Sequence, residues 1–371
     1  MAPDRRYAPS VAASTPHLTV DLERMQANIA RTAEAATARG VALRPHAKTH
    51  KTVEIARMQL AAGAHGLTVA TIGEAEVFAA AGLDDLSIAF PLWLDAARAA
   101  RLSALVARGA AISIGVDSVA GVERIVHTGL AGRVSVRVEI DPGFHRSGCA
   151  PQDAGHVASA AAQAGIDVEG VFAFPGHAYA PDARIRAAEQ EAEALTAAAA
   201  SMRAADVPPR VVSGGSSPSF DPAIALDSPI TELRPGVNVF GDSQQWELGA
   251  TVPEHIALTA HATVVSHTGG RLVLDAGSKV LGPDRPAWAS GHGRLLDHPQ
   301  ARIVQLSEHH AVVELGEAGG NAAPPLGSIV RVVPNHVCTA VNLVDELVVY
   351  GRGDDAQPVA RWRVAARGRN D

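Results

Sequence analysis

The 371-residue chain is 47% hydrophobic and 19% charged, which supplies a sizeable core and is the wrong composition for an intrinsically disordered chain. Its net charge of −7, with no basic block, argues against nucleic acid or an anionic membrane as partner and leaves a small molecule as the expected one. Two cysteines, Cys149 and Cys338, cannot build a disulfide framework, the first residues lack a signal-peptide core, and no apolar run reaches the ~18 residues of a membrane span, so a cytoplasmic enzyme is expected.

Residues 1–15, with Pro3 and Pro9 among scattered charges and no periodicity, read as a mobile tail. From 18 to 240, apolar strand-like runs alternate with alanine-rich amphipathic helices such as 21–39 and 182–205. The runs VALRPHAK, GLTVAT, LSIAF, AISIGV, RVSVRVEID, GVFAFPGH, RVVSGG and ELRPGVNVF number eight, the count of a TIM-type (β/α)8 barrel over 16–242, with a doubly wound open sheet as the structural rival. After Gly241 the rhythm changes to short alternating segments bounded by Gly, Pro and Asp, from HIALTAHATVV to RWRVAARG, which predicts a C-terminal all-β domain over 243–371.

In a barrel the reactive groups stand at the C-terminal ends of the strands. The first strand ends in RPHAKTHK, where period two puts Arg44, His46 and Lys48 on one face. A partly desolvated lysine among cations loses proton affinity, as an amine nucleophile forming a Schiff base requires; a solvated basic turn is the plainer alternative. The fifth strand leads into Arg146 and the sixth into His177 and Tyr179. The seventh runs into Ser213, Gly214, Gly215, Ser216 and Ser217, and the eighth carries Arg234 and Gly236; glycine-rich turns at these two strands are common phosphate sites. An amine, an anion cradle, two arginines and an imidazole around one barrel mouth suit a phosphorylated carbonyl cofactor, pyridoxal phosphate. In PNHVC, read as a strand, His336 and Cys338 share a face, where they could grip one divalent ion or pack as a buried cysteine beside a histidine.

The order RPHAKTHK, HRSG, GHAY, SGG, ELRPG with FGD, LDAGSK and PNHVC resembles the D-threonine aldolase and D-serine dehydratase family of pyridoxal-phosphate enzymes, whose architecture is of the alanine-racemase type. The resemblance implies that the strand around 16–20 joins the β domain, that Lys48 is the Schiff-base lysine and Lys51 a bystander, and that Arg146 contacts the cofactor's phenolic oxygen. It further implies that the 213–217 turn with Gly236 holds the phosphate and that Arg234 faces the pyridine nitrogen, while Tyr179 and Asn238 complete the cofactor contacts; many relatives carry a tyrosine where this chain has Asn238. His336 and Cys338 would bind a metal, Zn²⁺ or Mn²⁺, and the chain would act as a homodimer on D-β-hydroxy amino acids. Retro-aldol cleavage to glycine and an aldehyde, with His177 as base, is the leading expectation, and dehydration to a 2-oxo acid and ammonia is the alternative. A racemase is disfavoured, because none of Tyr7, Tyr179 and Tyr350 has the G-Y-A-D-G setting of a racemase's second base.

Overall fold

The structure, a computed structural model, describes residues 14–316, 323–351 and 357–371. It forms two compact units: one holds the described residues up to Ala30, Thr49–Glu54 and those of Val237–Arg367, the other Arg31–Lys48, Ile55–Gly236 and Gly368–Asp371. Of the tail expected over 1–15, residues 1–13 lie outside the described residues, and Thr15 is pinned, its hydroxyl 2.6 Å from a carboxylate oxygen of Asp275 and 2.6 Å from the Thr263 hydroxyl. Among the described residues no helix is long and apolar enough to cross a membrane.

After β1 (His17–Asp21) the chain runs through β2 (Ala42–Leu43), β3 (Leu67–Val69), β4 (Asp85–Pro91), β5 (Ala111–Val116), β6 (Ser135–Ile140), β7 (Asp167–Ala173), β8 (Val211–Gly214) and β9 (Glu232–Leu233). Strands β2 to β9 form one parallel sheet in chain order; β9 pairs with β2, and a bridge from His46 to Thr68 joins the continuation of β2 to β3. The sheet is therefore a closed (β/α)8 barrel, and an open sheet with a reversal of strand order is excluded. Helices Ile72–Ala80, Ala96–Ala107 and Val119–His127 begin where Thr71, Asp95 and Ser118 accept a backbone N–H three residues on, so short polar residues after each strand set the start of the next helix.

The barrel strands are less uniformly apolar than predicted. In β6, Val136, Val138 and Ile140 are fully buried on one face, while Ser135, Arg137 and Glu139 alternate with them on the other. Arg137 donates from Nε to Glu169 (2.6 Å) and from Nη1 to Glu232 (2.5 Å); Arg44 reaches the other Glu232 oxygen (2.9 Å) and Asp85 (2.6 Å). Ser213 donates to Glu232 as well, at 2.6 Å. Burial pushes the Glu232 carboxyl up, but Arg137, Arg44 and the Ser213 hydroxyl more than reverse this and hold it down at about 2.

The other unit continues with β10 (Leu258–Thr268), β11 (Arg271–Leu274), β12 (Gly293–Leu295), β13 (His298–Leu306), β14 (Ala311–Glu314), β15 (Ile329–Pro334), β16 (Glu346–Tyr350) and β17 (Pro358–Arg363). The long strand β10 pairs with both β11 and β15, so β10 to β15 close into a ring; β1 adds to β10, and β16 and β17 extend from β1. Only β1–β16 pairs in parallel among these described strands. The predicted C-terminal all-β domain is present.

Glu232 compensates two buried guanidiniums, so Glu232→Gln should destabilise the barrel by about 3–5 kcal/mol, the cost of stranding a buried charge. Because its carboxyl sits near 2 when folded and near 4.5 when free, the stabilisation it gives is full above pH 4.5 and drains away as pH falls towards 2. Urea unfolding midpoints of wild type and variant should therefore converge over that window; a constant gap between them would contradict the assignment.

Candidate active site

The barrel carries a cavity of about 500 Å³ whose lining residues all sit at or just after the C-terminal ends of its strands: His46 and Lys48 after β2, Ala70 after β3, and Ala89, Phe90 and Pro91 closing β4. Asp117 follows β5, Arg146 and Ser147 follow β6, Phe174 follows β7, and Arg234 follows β9. Lys48 does not sit on a strand. Pro45 has no N–H for a ladder, β2 ends at Leu43, and Ala47–Thr49 is a turn of 3₁₀ helix, so the period-two reading of 44, 46 and 48 fails. His46 and Lys48 still meet at the cavity, but Arg44 turns to Glu232 and Asp85 instead.

Two other arginines take its place. Lys48 Nζ lies 5.7 Å from the centroid of the Phe174 ring and the Arg146 guanidinium carbon 4.9 Å from it, so one aromatic ring has two basic groups over it. Behind Arg146 stands Glu139, 3.8 Å away, whose carboxyl is pushed up by burial against the lowering effect of the Ser147 hydroxyl and Arg146. Arg234 is buried, donates from Nη2 to the Ala173 carbonyl and stacks over Phe172 at 5.1 Å; its Nε is buried without a hydrogen-bond partner. Burial pulls its guanidinium down to about 10. The chain has three lysines. Lys51 Nζ donates to Asn342 at 2.8 Å and Lys279 pairs with Glu308 at 2.8 Å, so Lys48 is the amine of this cavity.

The remaining predicted barrel residues do not line the cavity. Gly215 has φ +80 and a Cβ there would fall 2.6 Å from Leu233, so only glycine fits this turn. Its N–H donates to both oxygens of Glu191 (2.9 and 3.0 Å), a carboxyl that burial pushes up to about 8, and the Ser216 N–H donates to Ser219. Gly214 passes so close that a Cβ would meet Glu191 at 2.9 Å, and Gly236 donates to the Ser217 hydroxyl at 3.3 Å. His177 lies in the 3₁₀ turn Gly176–Ala178, its Nε2 3.1 Å from Gln190 and its ring stacked on Phe144; Tyr179 follows it, 6.4 Å from Phe174 between ring centroids. Asn238 lies in the turn Val237–Val239 of the other unit. Asp117, Phe174 and Glu191 escaped the sequence reading, since none stands in a motif of its own.

In the β-rich unit, PNHVC is not a strand. β15 ends at Pro334, His336 occupies the N-cap position, and Cys338 lies in the first turn of helix Val337–Asn342. Proximity nevertheless survives, because adjacent N-cap and first-turn residues can turn side chains to one place. Burial disfavours charge on His336, while the Cys338 sulfur, to which its ring is hydrogen-bonded, and Asp242 hold its proton affinity well above the ordinary value. The Cys338 thiol donates to the Thr49 hydroxyl at 3.3 Å. Among the described residues no group of three or more His, Cys, Asp and Glu gathers for a metal, so an ion here would have two protein ligands and open positions for water or substrate.

The family model described as "Alanine racemase, N-terminal domain" matches residues 20–244, and that of a "serine dehydratase domain" matches 257–350. D-threo-3-hydroxyaspartate dehydratase of Delftia sp. (strain HT23) is 35% identical over 347 residues, 87% of this chain and 90% of that protein. D-threonine aldolase of Arthrobacter sp. is 32% identical, covering 97% of this chain and 94% of its own. The solved Delftia dehydratase superposes with a TM-score of 0.87 over 96% of this chain and 98% of its own at 33% identity. That enzyme is also solved as alanine variants of a histidine and of the cysteine two positions after it, the latter in a metal-free form. The chain belongs to the family of alanine-racemase-fold, pyridoxal-phosphate-dependent lyases that includes D-threo-3-hydroxyaspartate dehydratase and D-threonine aldolase.

Proposed function

We propose that the chain removes water from D-configured β-hydroxy amino acids to give a 2-oxo acid and ammonia. The observation that carries this reading is the His336–Cys338 pair, whose order and spacing match the histidine and cysteine replaced in the solved dehydratase variants. The barrel cavity fits pyridoxal phosphate: it holds one lysine amine, and the unpartnered Arg234 Nε is a buried donor that the acceptor nitrogen of a pyridine ring would satisfy. Lys48 would hold the cofactor, Arg146 its phenolic oxygen and Arg234 its ring nitrogen; the 213–217 turn with Gly236, off the cavity lining and with the Gly215, Ser216 and Gly236 N–H groups bonded to Glu191, Ser219 and Ser217, would take the phosphate only by exchanging those bonds, with Tyr179 and Asn238 as outer contacts. His336 and Cys338 would hold the divalent ion, zinc favoured by the sulfur ligand. The expected homodimer belongs to the same proposal.

Pyridoxal phosphate supplies carbonyl chemistry at the substrate amine, and the ion supplies Lewis acidity at the β-oxygen. A guanidinium donates a hydrogen bond without giving up its proton, so Arg234 would hold the ring nitrogen unprotonated and leave more of the charge stabilisation to the ion at the β-oxygen. With the cofactor bound, the freed Lys48 amine would take the α-proton and return a proton to the departing β-hydroxyl, which leaves as water, and one water would then be consumed in converting the dehydrated product to 2-oxo acid and ammonia. Retro-aldol cleavage needs a base at the β-hydroxyl instead. His177, expected in that role, is engaged by Gln190 and is absent from the cavity lining. Aldol cleavage is kept as the second reading on the full-length similarity to D-threonine aldolase.

Incubation of the holoprotein with D-threonine, D-serine or D-threo-3-hydroxyaspartate should release ammonia and a 2-oxo acid. Glycine as the product would move the assignment to aldolase, and inversion alone to racemase.

Borohydride reduction of the holoprotein followed by peptide mapping should place the cofactor on Lys48. A label on Lys51 or Lys279 would overturn the barrel site.

Chelation should cut turnover by several orders of magnitude, on the order of several kcal/mol of lost Lewis-acid stabilisation, while cofactor absorbance persists and added Mn²⁺ or Zn²⁺ restores activity. Full activity in the chelated protein would return His336 and Cys338 to a packing role.

A further inference from the structure

The FGD motif ends in Asp242, a residue with no role in the reaction outlined above. Its carboxylate is completely buried, yet no Lys or Arg is paired with it among the described ion pairs. Instead it joins two short helices. Oδ1 accepts the Gln245 N–H at 2.9 Å, capping helix Ser243–Glu247. Oδ2 accepts the Val337 N–H at 3.2 Å, at the start of the helix that carries Cys338, and lies 3.3 Å from His336 Nδ1. A carboxylate oxygen can only accept, so the hydrogen in the last contact belongs to Nδ1.

We propose that Asp242 is a positioning residue for the divalent ion: it fixes the Nδ1–H form of His336, so that Nε2 presents its lone pair beside the Cys338 sulfur. The inference rests on the reading of His336 and Cys338 as metal ligands. A ligating imidazole is commonly held through its other nitrogen by a carboxylate, which sets both tautomer and ring orientation. Here the same carboxylate also caps the helix of the second ligand. One buried group thus sets the ring of His336 and the backbone from which Cys338 projects. The companion tie is the Asn335 side chain, which donates to the carbonyls of Asp284 (2.9 Å) and Gly291 (2.7 Å) and anchors the turn immediately before His336.

The test uses the full-length protein stripped of metal and titrated with Zn²⁺ alone, in the presence of pyridoxal phosphate and without substrate. In Asp242→Asn the amide oxygen can still cap Gln245, but an NH₂ group then faces His336 Nδ1 and the Val337 N–H. Zinc affinity should fall about 10- to 100-fold while cofactor absorbance stays at the wild-type level. His336→Ala sets the floor. If wild type and His336→Ala bind zinc alike, the metal reading itself fails; if His336→Ala loses zinc and Asp242→Asn binds it as tightly as wild type, only the role of Asp242 is overturned. A readout that needs no folded variant is the ¹⁵N spectrum of His336 in the zinc-loaded wild type. The proton should be found on Nδ1 with the metal on Nε2, and the reverse arrangement would overturn the proposal.

Discussion

The barrel is organised around one buried carboxylate. Glu232 takes a guanidinium on each oxygen, Arg44 from the continuation of β2 and Arg137 from β6, and through them reaches Asp85 and Glu169. Such a ladder is costly to assemble in a low-dielectric interior, and it holds only when each charge has its partner. It lies where the barrel needs tying most. β2 and β9, the two strands that meet at the seam, are two residues each and contribute little backbone ladder, so side-chain charge carries the seam.

The same ladder decides the electrostatics of the cavity. Glu232 and Arg234 stand two apart around β9, and because Glu232 is already shared by Arg44 and Arg137, Arg234 is left with a carbonyl, the Phe172 ring and more distant carboxylates. Lys48 and Arg146 add further positive charge to the cavity wall against Asp117. A cavity with this imbalance favours an anionic ligand, and the buried Arg234 Nε, without a hydrogen-bond partner among the described residues, offers it a donor.

The barrel and the β domain were legible in the sequence because the change from helix-strand rhythm to short alternating strands is carried by many residues at once. The interior ladder was present in SVRVEI, where Ser135, Arg137 and Glu139 recur with period two, but a rule that parallel strands are apolar on both faces concealed it. At two places local geometry defeated the period. Pro45 ended β2 before Lys48, and Pro334 closed β15 before His336, so both candidate residues sit on turns or helix starts, where alternation says nothing about direction. Lys48, Arg146 and Arg234 meet at the cavity all the same, since strand-end position survives when strand length does not. Asp242 was readable as a helix cap from its place three residues before Gln245, a D-x-x-Q signature, but its second bond to the His336 ring depends on a contact 94 residues away.

The scarcity of lysine has a chemical consequence. Of the 32 Lys and Arg residues only three are lysine, so the chain's positive charge is almost entirely guanidinium, which does not condense with carbonyl compounds under mild conditions as an amine does. Lys51 is buried with its amine bonded to Asn342, and Lys279 is held by Glu308. An enzyme that handles an aldehyde cofactor and carbonyl products meets a standing hazard of adducts on its own surface. With so few side-chain amines on offer, stray carbonyls have little here to modify, and the Lys48 amine in the cavity has few rivals for a carbonyl ligand.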